Sequence, residues 1–467
     1  MLRTLKNAWR VPELRNKLLF TLMIIVVYRL GANIIVPYVD TSIATSFDAM
    51  YGGTVLGFMS ILSGGALSQA TLFALGVNPY ITASIVMQLL SIAIPALERM
   101  AKDEDGKKKI NVITRYVTVA LAIVTAFGYT RLLDSNGWLV TSGSKVFQYF
   151  VIIASLCAGA SIVMWISEKI NEHGIGNGIS IILFANIISR LPSMVNTLWN
   201  LASNKATGWI DATKTTAAHP ETTPGFNLPG TIAAVITVLI IVTLLVLSVW
   251  FTNSERRIPI QYAKRVVGRK MYGGQGTNLP LKMNMAGVMP IIFASSIVSI
   301  PATIVTMFNM DKSKHFGWFV DSYLESDTWT YVVLYLIMLV AFSYFYIMIS
   351  FNPVEVSNNI RNNGGAVPGI RPGKPTVDYI KKILNRVTLI GAIFLALIAC
   401  LPMIAPIIMN LFSFHSYPNL GFISYSITAL AFGGSSLLIV VGVALETTRD
   451  LEAQLTMRNY KGKGFLD

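Results

Sequence analysis

Ser161, within Gly159-Ala160-Ser161-Ile162, matches the short serine motif of some intramembrane proteases. That chemistry needs a base within hydrogen-bond reach to take the hydroxyl proton. The four histidines, His173, His219, His315 and His415, lie in loops or at the ends of apolar runs, and none forms an HExxH pair. Without a base inside a run, the small residues around Ser161 read as a surface that lets helices approach closely. Gly369-Ile-Arg-Pro-Gly373-Lys374 has the outline of a phosphate-binding loop. It is one residue short between its glycines, and Pro375 stands where Ser or Thr would bind magnesium, so it reads as a turn-rich loop. Cys157 and Cys400 both fall inside apolar runs, which leaves no thiolate cluster for zinc and no disulfide framework. No catalytic site, metal site or cofactor is expected.

The patterned residues are instead apolar. Val77, Ile81 and Ile85 recur at helical spacing, Val288 and Ile292 repeat it, and Ile179 and Leu183 do so after Gly174-Ile-Gly-Asn-Gly178. Such stripes serve lipid contact or packing in most membrane helices. Branched apolar side chains arranged in a ring can also close a channel by dewetting, without a charged gate. Ionisable residues are nearly absent from the run interiors, with Arg29 and Glu446 close to ends. Proton relays and ion-coupled pumps need such groups along their path, so a passive conduit is favoured over a pump.

The elements that must position these residues are membrane spans. Of 467 residues, 53% are hydrophobic and 13% charged, outside soluble usage. Runs near bilayer-crossing length recur ten times, at about 18–36, 71–97, 112–133, 146–166, 175–201, 231–251, 285–308, 329–351, 387–409 and 427–445. An even number returns both termini to one side. Counting the two termini, alternate loops and adjoining span ends, 29 of the 37 Lys and Arg residues fall on one face. Basic residues gather in cytoplasmic loops, so both termini are expected in the cytoplasm and the first run is expected to be an uncleaved start. The net charge of +14 then belongs to the cytoplasmic face.

Five runs precede the polar stretch 202–230 and five follow it, so any repeat between the halves is inverted. The second run of the first half carries Gly76-Val77-Asn78-Pro79 and the second run of the other half carries Gly287-Val288-Met289-Pro290. Paired Gly/Pro interruptions in corresponding positions point to the functional centre of an inverted-repeat membrane protein. Just before the first break, residues 55–62 are apolar but too short to span, and Ser63-Gly64-Gly65 follows. This reads as a re-entrant half-helix against a cavity, where irregular backbone is tolerated, or as a helix lying on the outer surface.

Two basic loops exceed what connection requires. Residues 253–283 hold Arg256, Arg257, Lys264, Arg265, Arg269, Lys270 and Lys282 against Glu255 alone, with Tyr262 and Tyr272 interleaved. Residues 352–386 add Arg361, Arg371, Lys374, Lys381, Lys382 and Arg386. Topology signalling accounts for such charge, and so does a docking surface for an acidic or RNA-bearing partner.

Six stretches carry a family resemblance: SGGALSQATLFALGVNPYITASIVMQLL (63–90), GIGNGISIILFANI (174–187), RRIPIQYAKR (256–265), NLPLKMNMAGVMPIIFASSI (278–297), VPGIRPG (367–373) and FGGSSLLIVVG (432–442). Together they resemble the SecY protein-conducting channels of bacteria over nearly the whole chain. The resemblance implies an all-α polytopic fold: ten transmembrane helices in two inverted five-helix halves around an hourglass pore, with a short re-entrant plug helix. The halves would be 1–201 and 231–446, linked externally by 202–230, and 447–467 would be a cytoplasmic tail.

Position by position, the resemblance implies a constriction ring of Val77, Ile81, Ile85, Ile179, Leu183, Val288, Ile292 and Ile439. The family favours isoleucine there, so Val77, Leu183 and Val288 depart slightly. The plug and its hinge would include Leu56, Phe58, Met59, Ile61, Leu62, Gly64 and Gly65. A lateral gate toward lipid would run beside Gln88, Ser295 and Ser296. The two basic loops would dock the ribosome or the SecA motor ATPase, with Arg371 important for the motor, Arg256, Arg257, Lys264, Arg265 and Lys374 nearby, and Arg269 and Lys270 at a loop tip. Small SecE and SecG subunits, signal sequences, unfolded preproteins and membrane lipid complete the implied partners. Location would be the bacterial cytoplasmic membrane, and energy would come from the motor or from translation. Two rival readings stand beside this one. A small-solute secondary transporter needs a polar midplane site where this chain has Val and Ile, and an intramembrane enzyme lacks its base.

Overall fold

The computed structural model describes residues 2–51, 55–140, 144–202, 228–262, 265–267, 270–272, 276–307, 320, 328–411 and 433–463. A short amphipathic helix, α1 (Leu2–Arg10), precedes α2 (Pro12–Gly31), whose Pro12 sits in the first turn where its missing N–H has no partner to lose. Two short helices follow, α3 (Ile43–Tyr51) and α4 (Val55–Leu62), and then turns until α5 (Asn78–Ala93). Ile94 is extended and Pro95 opens α6 (Pro95–Lys102), so the chain bends by 109° between α5 and α6. The residue before a proline is pushed out of the helical region, which explains why the predicted run 71–97 does not stay straight.

Long helices α7 (Glu104–Ser135) and α8 (Lys145–His173) pack antiparallel on the first half. The predicted run 175–201 divides at Arg190 into α9 (Gly178–Ser189) and α10 (Leu191–Ala202), as expected of a helix meeting Pro192. The second half contains α11 (Leu228–Asn253), α12 (Met289–Met307), α13 (Trp329–Ser350), α14 (Pro353–Asn362), α15 (Lys374–Leu411) and α16 (Gly433–Lys463). The last helix runs without interruption past position 446, and its Leu451 packs with Ala8, Leu14 and Ile175.

Each of the ten predicted runs contains a described helix. Among the described residues six helices are long and apolar enough to cross a bilayer, or seven if α5 and α6 form one bent span. The others fall short for plain reasons: α2 carries Arg15, Lys17 and Arg29, α9 has 12 residues, and α16 carries Glu446, Arg449 and Asp450.

Between α11 and α12 the chain leaves the helical body and forms a ribbon. Strand β1 (Glu255–Tyr262) pairs antiparallel with β4 (Gly276–Lys282), from Glu255 opposite Lys282 to Gln261 opposite Gly276, with the small pair β2 (Arg265–Val267) and β3 (Lys270–Tyr272) at the tip. A two-residue strand from the other basic loop, β5 (Gly365–Ala366), adds to the free edge of β1. Ile258 and Ile260 alternate inward, as the two-residue period requires.

Candidate functional site

The two predicted interruptions share one backbone solution. Gly76 and Gly287 both take positive φ, +56° and +65°, a conformation close to free only for glycine. A helix begins two residues later in each case, with Pro79 and Pro290 in the first turn. Val77 and Val288, directly after the glycines, use their carbonyls as first acceptors: Ile81 N–H to Val77 O at 3.0 Å, and Ile291 N–H to Val288 O at 3.1 Å. Each break therefore exchanges lipid-compatible helix for a turn that protein must enclose.

A glycine on a facing helix packs against Val288 at the second break and against Leu72, four residues before Gly76, at the first. A Cβ on Gly159 of α8 would collide with the Leu72 carbonyl, and one on Gly442 of α16 would collide with the Val288 side chain. This is the work of the Gly159-Ala160-Ser161 motif, since Ser161 donates its hydroxyl to Cys157 O in its own helix at 2.8 Å.

The predicted ring residues meet in one apolar cluster. Val77, Ile81 and Ile85 from α5 and the turn before it, Leu183 from α9, Val288 and Ile292 at the second break, and Ile439 from α16 are all buried, with Ile179 half-buried against them. Leu62, at the end of α4, joins the same cluster, and Phe58 packs against it. Leu56 instead belongs to a second cluster with Val36, Phe47 and Leu67, and Met59 packs there; Ile61 is half-buried.

The segment after α4 is held by local backbone turns, by a bridge in which Val36 N–H meets Ala70 O at 3.0 Å and Leu72 N–H meets Ile34 O at 2.7 Å, and by side chains of other helices. Gly64 and Gly65 have φ of +69° and +89°. Asn186 Nδ2 donates to Leu62 O at 2.8 Å, Arg190 donates to Ser60 Oγ at 2.9 Å, and Tyr129 OH donates to Leu67 O at 2.6 Å.

Ser295 and Ser296 of α12 line a cavity of about 180 Å³ with Phe58, Met59, Asn78 and Thr82. It lies between α4, α5, α7 and α12. Ser295 donates to Ile292 O at 3.0 Å. Gln88 is not part of this lining; its amide reaches Ser84 within α5 at 3.2 Å.

The basic residues divide. Arg256, Arg371 and Lys374 are exposed, and Arg257 is paired with Glu255 at 2.7 Å. Arg265 and Lys270 lie in β2 and β3, while Lys264 and Arg269 lie outside the described residues. Lys282, at the foot of β4, has its pKa lowered by burial and then by Arg449. Arg449 itself donates to Thr252 O at 2.8 Å, tying α16 to the foot of the ribbon.

This arrangement has close counterparts. The model of the SecY family matches residues 71–448, and the protein translocase subunit SecY of Streptomyces griseus is 41% identical over 474 residues, covering 99% of each chain. The chain belongs to the SecY family. The SecY of Corynebacterium glutamicum is 37% identical over 98% of each chain. A solved protein-conducting channel matches the fold with a TM-score of 0.61 at 17% identity, covering 94% of this chain and 92% of that one. Sec61 from a canine ribosome–channel complex matches with a TM-score of 0.57 at 16% identity, covering 94% and 92%. As a SecY-family member this is a multi-pass membrane protein related over its length to protein translocase subunits.

The residues that motif reading missed within this SecY-family fold are Asn186, Arg190 and Tyr129. Asn186 and Arg190 continue the spacing of Ile179 and Leu183 along α9, a signal hidden because only apolar positions were followed.

Proposed function

We propose that the chain passes unfolded polypeptide through the ring of Val77, Ile81, Ile85, Ile179, Leu183, Val288, Ile292 and Ile439, and releases transmembrane segments sideways into lipid. The observation that carries this is the convergence of those residues, from four separate parts of the chain, on two helix breaks. In this reading ten spans form two inverted five-helix halves, 1–201 and 231–446, around an hourglass pore. The link 202–230 joins them outside, with 203–227 beyond the described residues, and both termini, including the tail 447–467, face the cytoplasm of a bacterial cell. The segment 55–70 is the plug. The cavity beside Ser295 and Ser296 marks the lateral gate, with Gln88 further along α5.

The β1–β4–β5 sheet joins the two basic loops into one exposed surface, which supports docking of the ribosome or a SecA motor through Arg256, Arg257, Arg371 and Lys374. Arg265 and Lys270 lie in the strands at the ribbon tip, and Lys264 and Arg269 adjoin them in sequence. SecE and SecG complete the assembly, and energy is supplied by the motor or by translation. Long exposed apolar helices such as α11, with Leu239 at 63% exposure, suit contact with lipid or small subunits.

A photo-crosslinking residue at Ile292, and another at Leu239 as a lipid-facing control, test the pore directly when a secretory protein is stalled midway through export. Capture at Ile292 and not at Leu239 is expected. Absence of capture at Ile292 during demonstrated stalling would reject the pore.

A further inference from the structure

Asn186 and Arg190 hold the proposed plug from the helix that carries part of the proposed ring, an inference that rests on the channel reading above. Asn186 is fully buried, at 0% exposure, and every hydrogen-bonding group of its amide is occupied. Its Nδ2 donates to Leu62 O at 2.8 Å and to Tyr28 OH at 2.9 Å, and its Oδ1 accepts from Arg29 at 3.4 Å. One turn further on, Arg190 reaches Ser60 Oγ. The last turn of α4 is thus gripped at two points, Ser60 and Leu62.

The glycines that follow lie directly on this polar pair. A Cβ on Gly64 would come 2.6 Å from Arg29 Nη1 and 3.0 Å from Asn186 Oδ1, and one on Gly65 would come 3.4 Å from Arg190 Nη2. Beyond them the Leu67 carbonyl is held separately by Tyr129 of α7. Between Leu62 and Leu67 the chain turns through left-handed Gly64 and Gly65, and Ser63 Oγ bridges the two sides by accepting from Leu67 N–H at 3.1 Å and donating to Ser60 O at 3.0 Å.

Ile179, Leu183, Asn186 and Arg190 follow one another at spacings of four, three and four, which keeps them on one face of a helix. Arg190 caps α9 in helical geometry, with φ −88° and ψ −8°, so the stripe is continuous from ring to clamp. A short helix shifts as a body. Movement that draws Leu183 outward also draws Asn186 and Arg190 away from α4. We propose that Asn186 and Arg190 are positioning residues that lock the plug to the ring helix, so that widening of the ring on the α9 side releases the plug.

The test uses the full chain in liposomes, with Leu56→Cys as reporter and Cys157 and Cys400 replaced by alanine. Leu56 is 1% exposed, one helical turn before Ser60 and packed in the cluster with Val36, Phe47 and Leu67. The readouts are the rate at which a membrane-impermeant maleimide labels position 56 and the efflux of entrapped potassium. Arg190→Gln is expected to raise labelling about tenfold, the worth of one charge-assisted hydrogen bond. Ser60→Ala, a smaller disturbance, is expected to do nearly the same, and Arg190→Lys to stay near the parent. Leu183→Trp is expected to raise labelling with Arg190 present and to add little in Arg190→Gln, the non-additivity of a shared element. Unchanged labelling in both Arg190→Gln and Ser60→Ala overturns the clamp, whatever Ile292 captures. Strictly additive rates overturn the coupling to the ring. Faster labelling in Arg190→Gln and Ser60→Ala upholds the clamp with or without added potassium efflux, because the ring can stay closed by dewetting after the plug is freed.

Discussion

The breaks at Gly76 and Gly287 are alike in backbone and unlike in what precedes them. Each places a left-handed glycine before a valine of the ring, then a proline in the first helical turn. Upstream of Gly287 the chain emerges from β4, paired with β1 over seven residue pairs, and Arg449 of α16 holds the end of α11 just before β1. Upstream of Gly76 lie turns held by side-chain bonds from Asn186, Arg190 and Tyr129 and by a short backbone bridge in which Ile35 pairs with Thr71. A ladder of backbone bonds opens cooperatively or not at all, whereas a few side-chain bonds open locally. The same turn therefore follows a seven-pair ladder at one break and a single bridge with side-chain bonds at the other.

The largest test of that difference is the pair of facing glycines. Gly159 meets a backbone carbonyl, which cannot rotate away, whereas Gly442 meets a side chain. Gly159→Ala is expected to lower stability in detergent by about 3 kcal/mol and Gly442→Ala by about 1 kcal/mol, read as shifts in thermal unfolding. The reverse order would mean that the first turn yields more readily as backbone than the contacts imply.

Much of this was open to sequence reading, for a physical reason. Helix breaks are written in Gly and Pro and apolar stripes in helical spacing, both local signals, whereas reading those stripes with Ile439 as one ring rests on the family resemblance. The clamp is not local. Arg190 fell inside the predicted run 175–201, and nothing nearby marks it as the partner of Ser60, 130 residues away. The union of two basic loops through β5 and β1 is hidden likewise, because a two-residue strand has no periodicity to read. The predicted lateral-gate set divides for a related reason: Ser295 and Ser296 face the cavity, while Gln88 finds a partner one turn away in its own helix.

The breaks themselves should be equivalent. A side chain on Gly76 would find only Ser63, at 3.6 Å, and one on Gly287 only Glu446, at 3.8 Å, so neither is crowded. Gly76→Ala and Gly287→Ala should then each lose about 1–2 kcal/mol from left-handed backbone alone, measured by thermal unfolding. A much larger loss at one site would show that one turn carries strain that the other lacks.

The proposed ring offers a finer comparison, because Val77 and Val288 would come from different halves of one seal. Val77→Asn and Val288→Asn are each expected to raise resting potassium efflux from liposomes about tenfold, since a polar group stabilises water in a constriction closed by dewetting. Similar leaks fit one shared ring. A leak from Val288→Asn alone would mean that Val77 is backed by the plug, with Leu62 as its seal.

The smallest effect lies at the break that follows the ladder. Lys282 ends β4 opposite Glu255, and its pKa is lowered by burial and by Arg449, with Glu255 opposing. The folded state therefore gives up this proton before the unfolded chain does. Between the lowered value and the ordinary 10.5, the unfolded state binds more protons, and stability rises with pH across that window. Below it the cost of the buried charge is constant. Lys282→Met removes that cost and should stabilise the protein by less than about 0.5 kcal/mol at neutral pH. The gain should shrink toward zero as pH climbs to the ordinary lysine value, followed by thermal unfolding at several pH values. A loss of stability at neutral pH would show instead that the Glu255 contact outweighs burial, and that the ribbon foot is held by charge as well as by its ladder.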